Sequence, residues 1–186
     1  MEALGLLRQA LSSLEKTHGD LDSKVAFTVA QMGAVAIDLK NLDEAEVDFA
    51  RAAAIYKSVR GDEHQSVAIE LANVASIALA KKQYVRAEQL FRDVIRRFEK
   101  VLPADNLNIG IARIKLGHSL LGQKRYQDSA AELVAGYGIV AKQTSPSVSW
   151  LNTARKDLVV VYDALGEHGK AAEFRTDLAG EHRQSN

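Results

Sequence analysis

The chain has 186 residues, 47% of them apolar and 26% charged, which is enough to bury the core of one domain. Its 24 basic residues balance its 24 acidic residues, so no excess positive charge favours nucleic acid or an anionic membrane as a partner. Cysteine is absent, which excludes disulfides, a thiolate nucleophile and zinc sites built on sulfur.

The amino terminus carries Glu2 and Arg8 in place of a basic start followed by a long apolar stretch, so it lacks the pattern of a secretion signal. No apolar run has the length needed to span a bilayer. These features predict a cytoplasmic protein that does not insert into membranes.

Nine helices and no strands are predicted along the chain. Only two prolines occur, and good helix formers such as alanine, leucine, glutamate, lysine and arginine dominate the rest. Glycine, proline, Asp, Asn and Ser occupy the breaks, where they stop one helix and cap the next. The predicted helices are residues 2–17, 24–39, 42–60, 66–81, 84–101, 107–122, 126–143, 148–165 and 168–180. The short polar turns within each pair predict antiparallel helical hairpins.

The hairpins recur with a constant period of 42 residues, which is the separation of Val25 and Val67 in the sequence. An apolar residue starts each unit, and further along the first helix a second apolar column is followed by a small residue, with Val159 as the exception. Small and large apolar positions also alternate along each second helix, so one of its faces must pack inward. The recurring positions include Val25, Val67, Ile109 and Leu151; Met32, Val74, Leu116 and Leu158; Gly33, Ala75 and Gly117; and Phe49, Phe91 and Leu133.

This pattern resembles the tetratricopeptide repeat in the 42-residue form found in kinesin light chains. The linker at residues 61–68 and the helix starts at Ala45-Glu46 and Ala87-Glu88 carry the resemblance. It implies an all-α fold, an α-α superhelix of antiparallel hairpins. The expected organisation is a single array over residues 1–186, whose parts are a half-unit at 1–23, full repeats at 24–66, 67–108 and 109–150, a divergent capping repeat at 151–181, and a tail at 182–186.

Two features of the sequence suggest that the chain is part of a longer protein. The run Lys170–Ala179 and the segment Ala135–Tyr137 are similar to the carboxyl-terminal tetratricopeptide region of bacterial serine/threonine kinases and related signalling proteins. Met1 falls within a unit whose first helix is missing, so we expect the natural protein to be longer. A short protein that starts with a lone capping helix is the alternative.

The resemblance implies that first helices line a concave groove. The predicted groove residues are mostly apolar: Phe27, Ala30, Ala34, Ile37, Ile69, Ala72, Asn73, Ser76, Leu79, Ile111, Ile114, His118 and Leu121. Exposed apolar patches often mark contact sites, which favours a groove for a hydrophobic helix or an extended peptide. The alternative is that tight curvature packs these side chains on neighbouring units. Asn73 would bind either peptide backbone or an adjacent helix.

Other kinds of site receive little support. The carboxylate clamp of some tetratricopeptide domains is absent, because its positions hold residues such as Ala30, Ala72 and Ser76. The histidines lack metal-ligand spacing, so neither a metal nor a cofactor is expected. A basic stripe, Arg92, Arg96, Arg97 and Lys100, is interpreted as a solvated face, with an acidic partner as the alternative.

The predicted function is therefore a protein-interaction scaffold that binds a protein or peptide and is not an enzyme, since no catalytic motif is present. One alternative is a regulatory or sensor segment of a larger signalling protein, such as a bacterial serine/threonine kinase. Another is self-association of the chain as a homo-oligomer.

Overall fold

The computed structural model describes residues 2–184 of the chain, and the side chains of residues 3–178. Over this range it contains nine α-helices and no strand, as predicted. The helices are α1 (Glu2–His18), α2 (Ser23–Asp38), α3 (Leu42–Arg60), α4 (Gln65–Ala80), α5 (Tyr84–Val101), α6 (Leu107–Gly122), α7 (Tyr126–Ala141), α8 (Val148–Ala164) and α9 (His168–Gln184). The predicted boundaries agree to within two residues except at the end of α9, which continues to Gln184 instead of stopping at residue 180.

Each helix packs against the next one along the chain, so successive helices form antiparallel hairpins stacked in one direction. Helices α4 and α6 also contact each other, as do α6 and α8, whereas no pair among α1, α3, α5, α7 and α9 makes a comparable contact over residues 2–184. Helices α4, α6 and α8 are thus closer together than the odd-numbered helices. We call the side formed by α2, α4, α6 and α8 the inner face.

The helix caps repeat with the same period as the hairpins. Asp22, His64 and Asn106 occupy equivalent places in successive units, and each precedes the first residue of a first helix. Each side chain accepts a hydrogen bond from the backbone N–H two residues further on, at 2.7, 3.1 and 2.9 Å. His64 is therefore a capping residue, which accounts for a histidine in a linker.

The turns inside the hairpins share a left-handed residue. Lys40, Lys82 and Lys124 have φ angles of 61°, 58° and 61°, and Gly166 occupies the equivalent place with φ 75°. The residue after a helix C-cap commonly adopts this conformation because it lets backbone N–H groups reach the last carbonyls. Three of the four turns achieve this with lysine, for which the left-handed region is sterically costly.

Small residues set the distance between the helices of a hairpin. A Cβ atom at Gly117 would lie 2.6 Å from Cγ of Leu133, and one at Gly33 would lie 3.1 Å from the ring of Phe49. Phe91, the equivalent of these two large residues, is fully buried in the same core cluster as Ala75. Residues separated by one period of the sequence therefore occupy equivalent positions in successive hairpins, as predicted.

Candidate partner-binding face

Three hollows follow one another along the inner face. The first, of about 430 Å³, is lined by residues of α2, α3 and α4: Phe27, Ala30, Gln31, Ala34, Ile37, Asp38, Phe49, Glu70 and Asn73. The middle hollow, of about 220 Å³, is lined by Ile69, Ala72, Asn73, Phe91, Phe98, Asn108, Ile111, Ala112, Lys115 and Trp150. The third, of about 430 Å³, is lined by Ser76, Leu79, Ala80, Lys82, Tyr84, Ile114, Lys115, His118, Trp150 and Thr153. Shared residues join neighbouring hollows into one strip.

All the predicted groove residues except Leu121 line one of these hollows. Phe27 and Ile37 are the most open of the large ones, with 56% and 40% of their surface exposed. Ile69, Ala72 and Leu79 are partly covered because they also pack against the core between α4, α5 and α6. The first hollow is therefore open, whereas the lining in the middle of the inner face is shared with the core.

Two predicted groove residues lie mainly in the core. Ile114 is fully buried in the core with Leu133 and Leu158, and it contributes only the floor of the third hollow. Ile114 directly precedes Lys115, which faces the open side of α6, and Gly136 of α7 packs directly over Ile114. Leu121 lines none of the three hollows and packs instead against the core around Leu133.

A polar column on the inner face was missed by sequence reasoning. Gln31, Asn73, Lys115 and Asp157 are related by the repeat period, one in each first helix. Lys115 donates a hydrogen bond from Nζ to Oγ of Ser76 at 2.7 Å, joining α6 to α4, and Asp157 meets Nδ1 of His118 at 2.7 Å, joining α8 to α6. The repeat period applied to Asn73 would have identified the whole column.

Lys115 is held in an unusual setting. Its ammonium lies 5.0 Å from the centre of the Trp150 ring and, among the described residues, pairs with no carboxylate. Burial lowers the pKa of this lysine to about 8 because the charged form loses its hydration. A desolvated cation therefore lies between the middle and third hollows.

Glu70 presents the opposite charge at the first hollow. Only 7% of its surface is exposed, and burial raises the pKa of its carboxyl, opposed by the hydrogen bond that Asn73 donates at 3.1 Å. Asn73 thus bonds within its own helix and not to a neighbouring one. The equivalent positions in the other repeats hold the core residues Thr28, Ala112 and Ala154. Glu70 was therefore not included among the predicted groove residues.

His118 forms an ion pair when protonated. The hydrogen bond to Asp157 raises the pKa of the imidazole above its usual value, and burial opposes this rise. The side chain remains 44% exposed towards the third hollow. It can therefore contact a ligand while it links α6 to α8.

The predicted basic stripe on α5 is paired with acids. Arg92 bonds Glu88, Arg96 and Arg97 bond Asp93, and Lys100 meets Glu63 at 2.5 Å. These contacts neutralise the stripe and leave little charge to attract an acidic partner. Among the residues that the structure describes, no group of His, Asp and Glu is suited to hold a metal, and no helix is both long and apolar enough to cross a bilayer.

Comparisons with known proteins identify the same architecture. Residues 25–100 match the family model described as tetratricopeptide repeat. No curated protein matches the sequence. Among solved structures, BtubC (BKLC) from P. vanneervenii aligns with a TM-score of 0.86 at 18% identity, over 99% of this chain and 73% of its own.

Two further structures agree. A protein from Podosopora anserina with nearly identical TPR-like repeats, provisionally assigned as a kinesin light chain, has a TM-score of 0.78 at 18% identity, over 99% of this chain and 87% of its own. MamA from Desulfovibrio magneticus RS-1 has a TM-score of 0.66 at 16% identity, over 98% of this chain and 97% of its own. Identities this low show a shared fold. Residues 25–100 thus match the tetratricopeptide repeat family, and the helices that flank them continue the same fold.

Proposed function

We propose that the chain is a protein-interaction scaffold that binds a peptide or helix along its inner face. The observation that supports this most directly is the row of three connected hollows lined mainly by apolar side chains, with Phe27 and Ile37 exposed at one end. Leaving such side chains in water forgoes the free energy of burying them, and contiguous exposed apolar surface is typical of contact sites.

The course of the strip across several helices suits an extended or helical segment. The hollows follow one another from α2 to α8, so a segment that fills them contacts four helices at once. Polar side chains recur along the strip at Asn73, Ser76 and His118, where they can bond the ligand's polar groups. We place this activity in the cytoplasm and assign the chain no catalytic role and no cofactor.

The proposal is tested by selecting binders from a display library of random twelve-residue peptides and measuring their affinity for variants of the inner face. Phe27→Glu and Ile111→Glu place a charge in the first and middle hollows, and each should weaken binding at least tenfold. That is the effect of losing about 1.4 kcal/mol, less than burial of one large apolar side chain contributes.

Val47→Glu and Val85→Glu are the matched controls. These valines are 66% and 59% exposed on α3 and α5, outside the three hollows, so the same substitution should leave affinity unchanged. If the selected peptides lose affinity for the two control variants and keep it for the inner-face variants, the ligand lies on the outer helices and the proposal is wrong.

A further inference from the structure

We infer that the first hollow is a subsite for a lysine or arginine side chain of the bound peptide, with Glu70 as its charge partner. This inference rests on the proposed function and specifies one chemical feature of the ligand. It is supported by the charge, the aromatic lining and the shape of the hollow.

Glu70 has no counter-charge in the described part of the chain. The hydrogen bond from Asn73 goes to Oε2, and Oε1 accepts none from the described residues. Glu88 provides the contrast, since it is buried to a similar extent on α5 but bonds Arg92 and Arg125. Burying a carboxylate without a cation is costly, and a base delivered by a ligand would relieve that cost.

The rest of the first hollow also suits a cation. Asp38 adds a second acidic side chain, and no lysine, arginine or histidine is among the lining residues. Phe27 is an exposed aromatic ring in the same hollow, and Phe49 contributes a second ring. Aromatic faces attract ammonium and guanidinium groups, most strongly where water is excluded. An acidic ligand group would instead meet two carboxyl side chains.

Lysine and arginine match the hollow in shape as well as in charge. Their long apolar stems can pack along Ala30 and Ala34 beside Phe27 while the charged head reaches Glu70. The small alanine side chains leave the space that such a stem needs. A short polar side chain would fill neither the apolar part of the hollow nor its charged end.

The first test uses the peptides selected from the random twelve-residue library. The inference predicts that those peptides whose affinity depends on Phe27 share a lysine or arginine. Replacing that residue by glutamine in a synthetic peptide should weaken binding about tenfold, as should Glu70→Gln in the protein. Combining both changes should weaken it little more than either alone, because each removes the same contact.

Glu70→Gln keeps the size of the side chain and an acceptor for Asn73, and it removes a poorly compensated buried carboxyl. Its thermal midpoint should therefore equal or exceed that of the parent chain, so that weaker peptide binding cannot be ascribed to unfolding. Gln31→Glu, which adds an acid to the same hollow, should strengthen binding of the basic peptides.

The pH dependence supplies a separate readout. Burial raises the pKa of Glu70, and a bound cation lowers it, so binding releases a proton and affinity should rise as pH increases through that pKa. The other titratable groups nearby are Asp38 and Tyr56, and the phenol of Tyr56 stays neutral in this range because burial and Glu70 raise its pKa. Binding to Glu70→Gln should show a smaller dependence.

The outcomes separate this inference from the proposed function. Peptides that require Phe27 and Ile111 but carry no shared base, or that bind Glu70→Gln as tightly as the parent, would refute the subsite and leave the scaffold function standing. Peptides that ignore Phe27 and Ile111 altogether would refute both.

Discussion

Lys115 illustrates how a single side chain on the inner face can oppose stability. Its ammonium contacts the hydroxyl of Ser76 and the ring of Trp150 but no acidic side chain among the described residues. Burial lowers its pKa from 10.5 to about 8. A folded-state pKa below the unfolded one means that the charged form is disfavoured by folding. At neutral pH, below both values, the chain bears that cost in full.

Lys115→Met should therefore stabilise the fold at pH 7, by roughly 1–3 kcal/mol, since each pKa unit corresponds to about 1.4 kcal/mol. The gain should shrink as pH rises from 7 towards 11, where the lysine is neutral in both states. Urea unfolding of the two chains across this range measures the effect. Lys142→Met, at an exposed lysine, should change stability by less than about 0.5 kcal/mol.

The left-handed turn residues make a second prediction at this scale. Lys124 has φ 61°, so Lys124→Gly should stabilise the chain by about 0.5–1 kcal/mol by relieving steric strain at its Cβ. Lys142, at the end of α7, has a helical φ of −81°, so the same change there should be neutral or destabilising. Equal effects of the two substitutions in thermal melts would contradict the assignment of strain.

At the scale of helix pairs, one glycine of α7, Gly136, controls how closely α7 packs on α6. A Cβ atom at Gly136 would lie 2.7 Å from the carbonyl oxygen of Gly110 and 2.9 Å from the amide nitrogen of Ile114, and neither backbone atom can move aside alone. Gly138, in the same helix, has no atom within 4 Å of an added Cβ.

Gly136→Ala should therefore cost about 1–3 kcal/mol through overpacking, whereas Gly138→Ala should gain up to about 1 kcal/mol from helix propensity. Chemical denaturation of both variants distinguishes the two effects. A loss of similar size at both positions would show that α6 and α7 are less tightly packed than described.

The contact between α6 and α8 depends on pH through His118. Its pKa is raised by the hydrogen bond to Asp157, so the stabilisation is present below the unfolded value of about 6.5 and is lost as pH rises through the folded one. Replacing His118 by glutamine should cost less than about 1 kcal/mol at pH 5.5 and still less at pH 8.5, because the His118 side chain is 44% exposed and solvent screens the pair. Melts of both chains at the two pH values measure this difference.

The sequence predicted the helix pairs well because packing positions recur in every unit and errors at one unit are corrected by the others. It was less informative on which side chains face the hollows. Ile114 and Lys115 are adjacent, and a rotation of one residue on α6 decides which of them is core. The burial of Glu70 was also missed, although the equivalent positions in the other repeats hold the core residues Thr28, Ala112 and Ala154.

At the scale of the whole molecule, each hairpin contacts mainly the adjacent hairpins, so a destabilising substitution should affect mainly the helices near it. In a linear stack each hairpin is stabilised mainly by the next one. A destabilising substitution in α7 should therefore increase local unfolding in the adjacent helices more than at the distant end of the array. Hydrogen exchange of Gly136→Ala should rise most in α6, α7 and α8 and least in α2 and α3. A uniform rise along the chain would indicate one cooperative unit instead.

The recurrence of caps also bears on how such a chain can change length. His64 and Asn106 cap α4 and α6 in the same way, so excision of residues 65–106 would join His64 directly to Leu107 with a suitable cap already in place. The junction would bring α3 against α6, two surfaces that already meet equivalents of each other. Recombination in steps of one whole repeat can thus shorten or extend the inner face, and with it the length of ligand accommodated, without inventing a new interface.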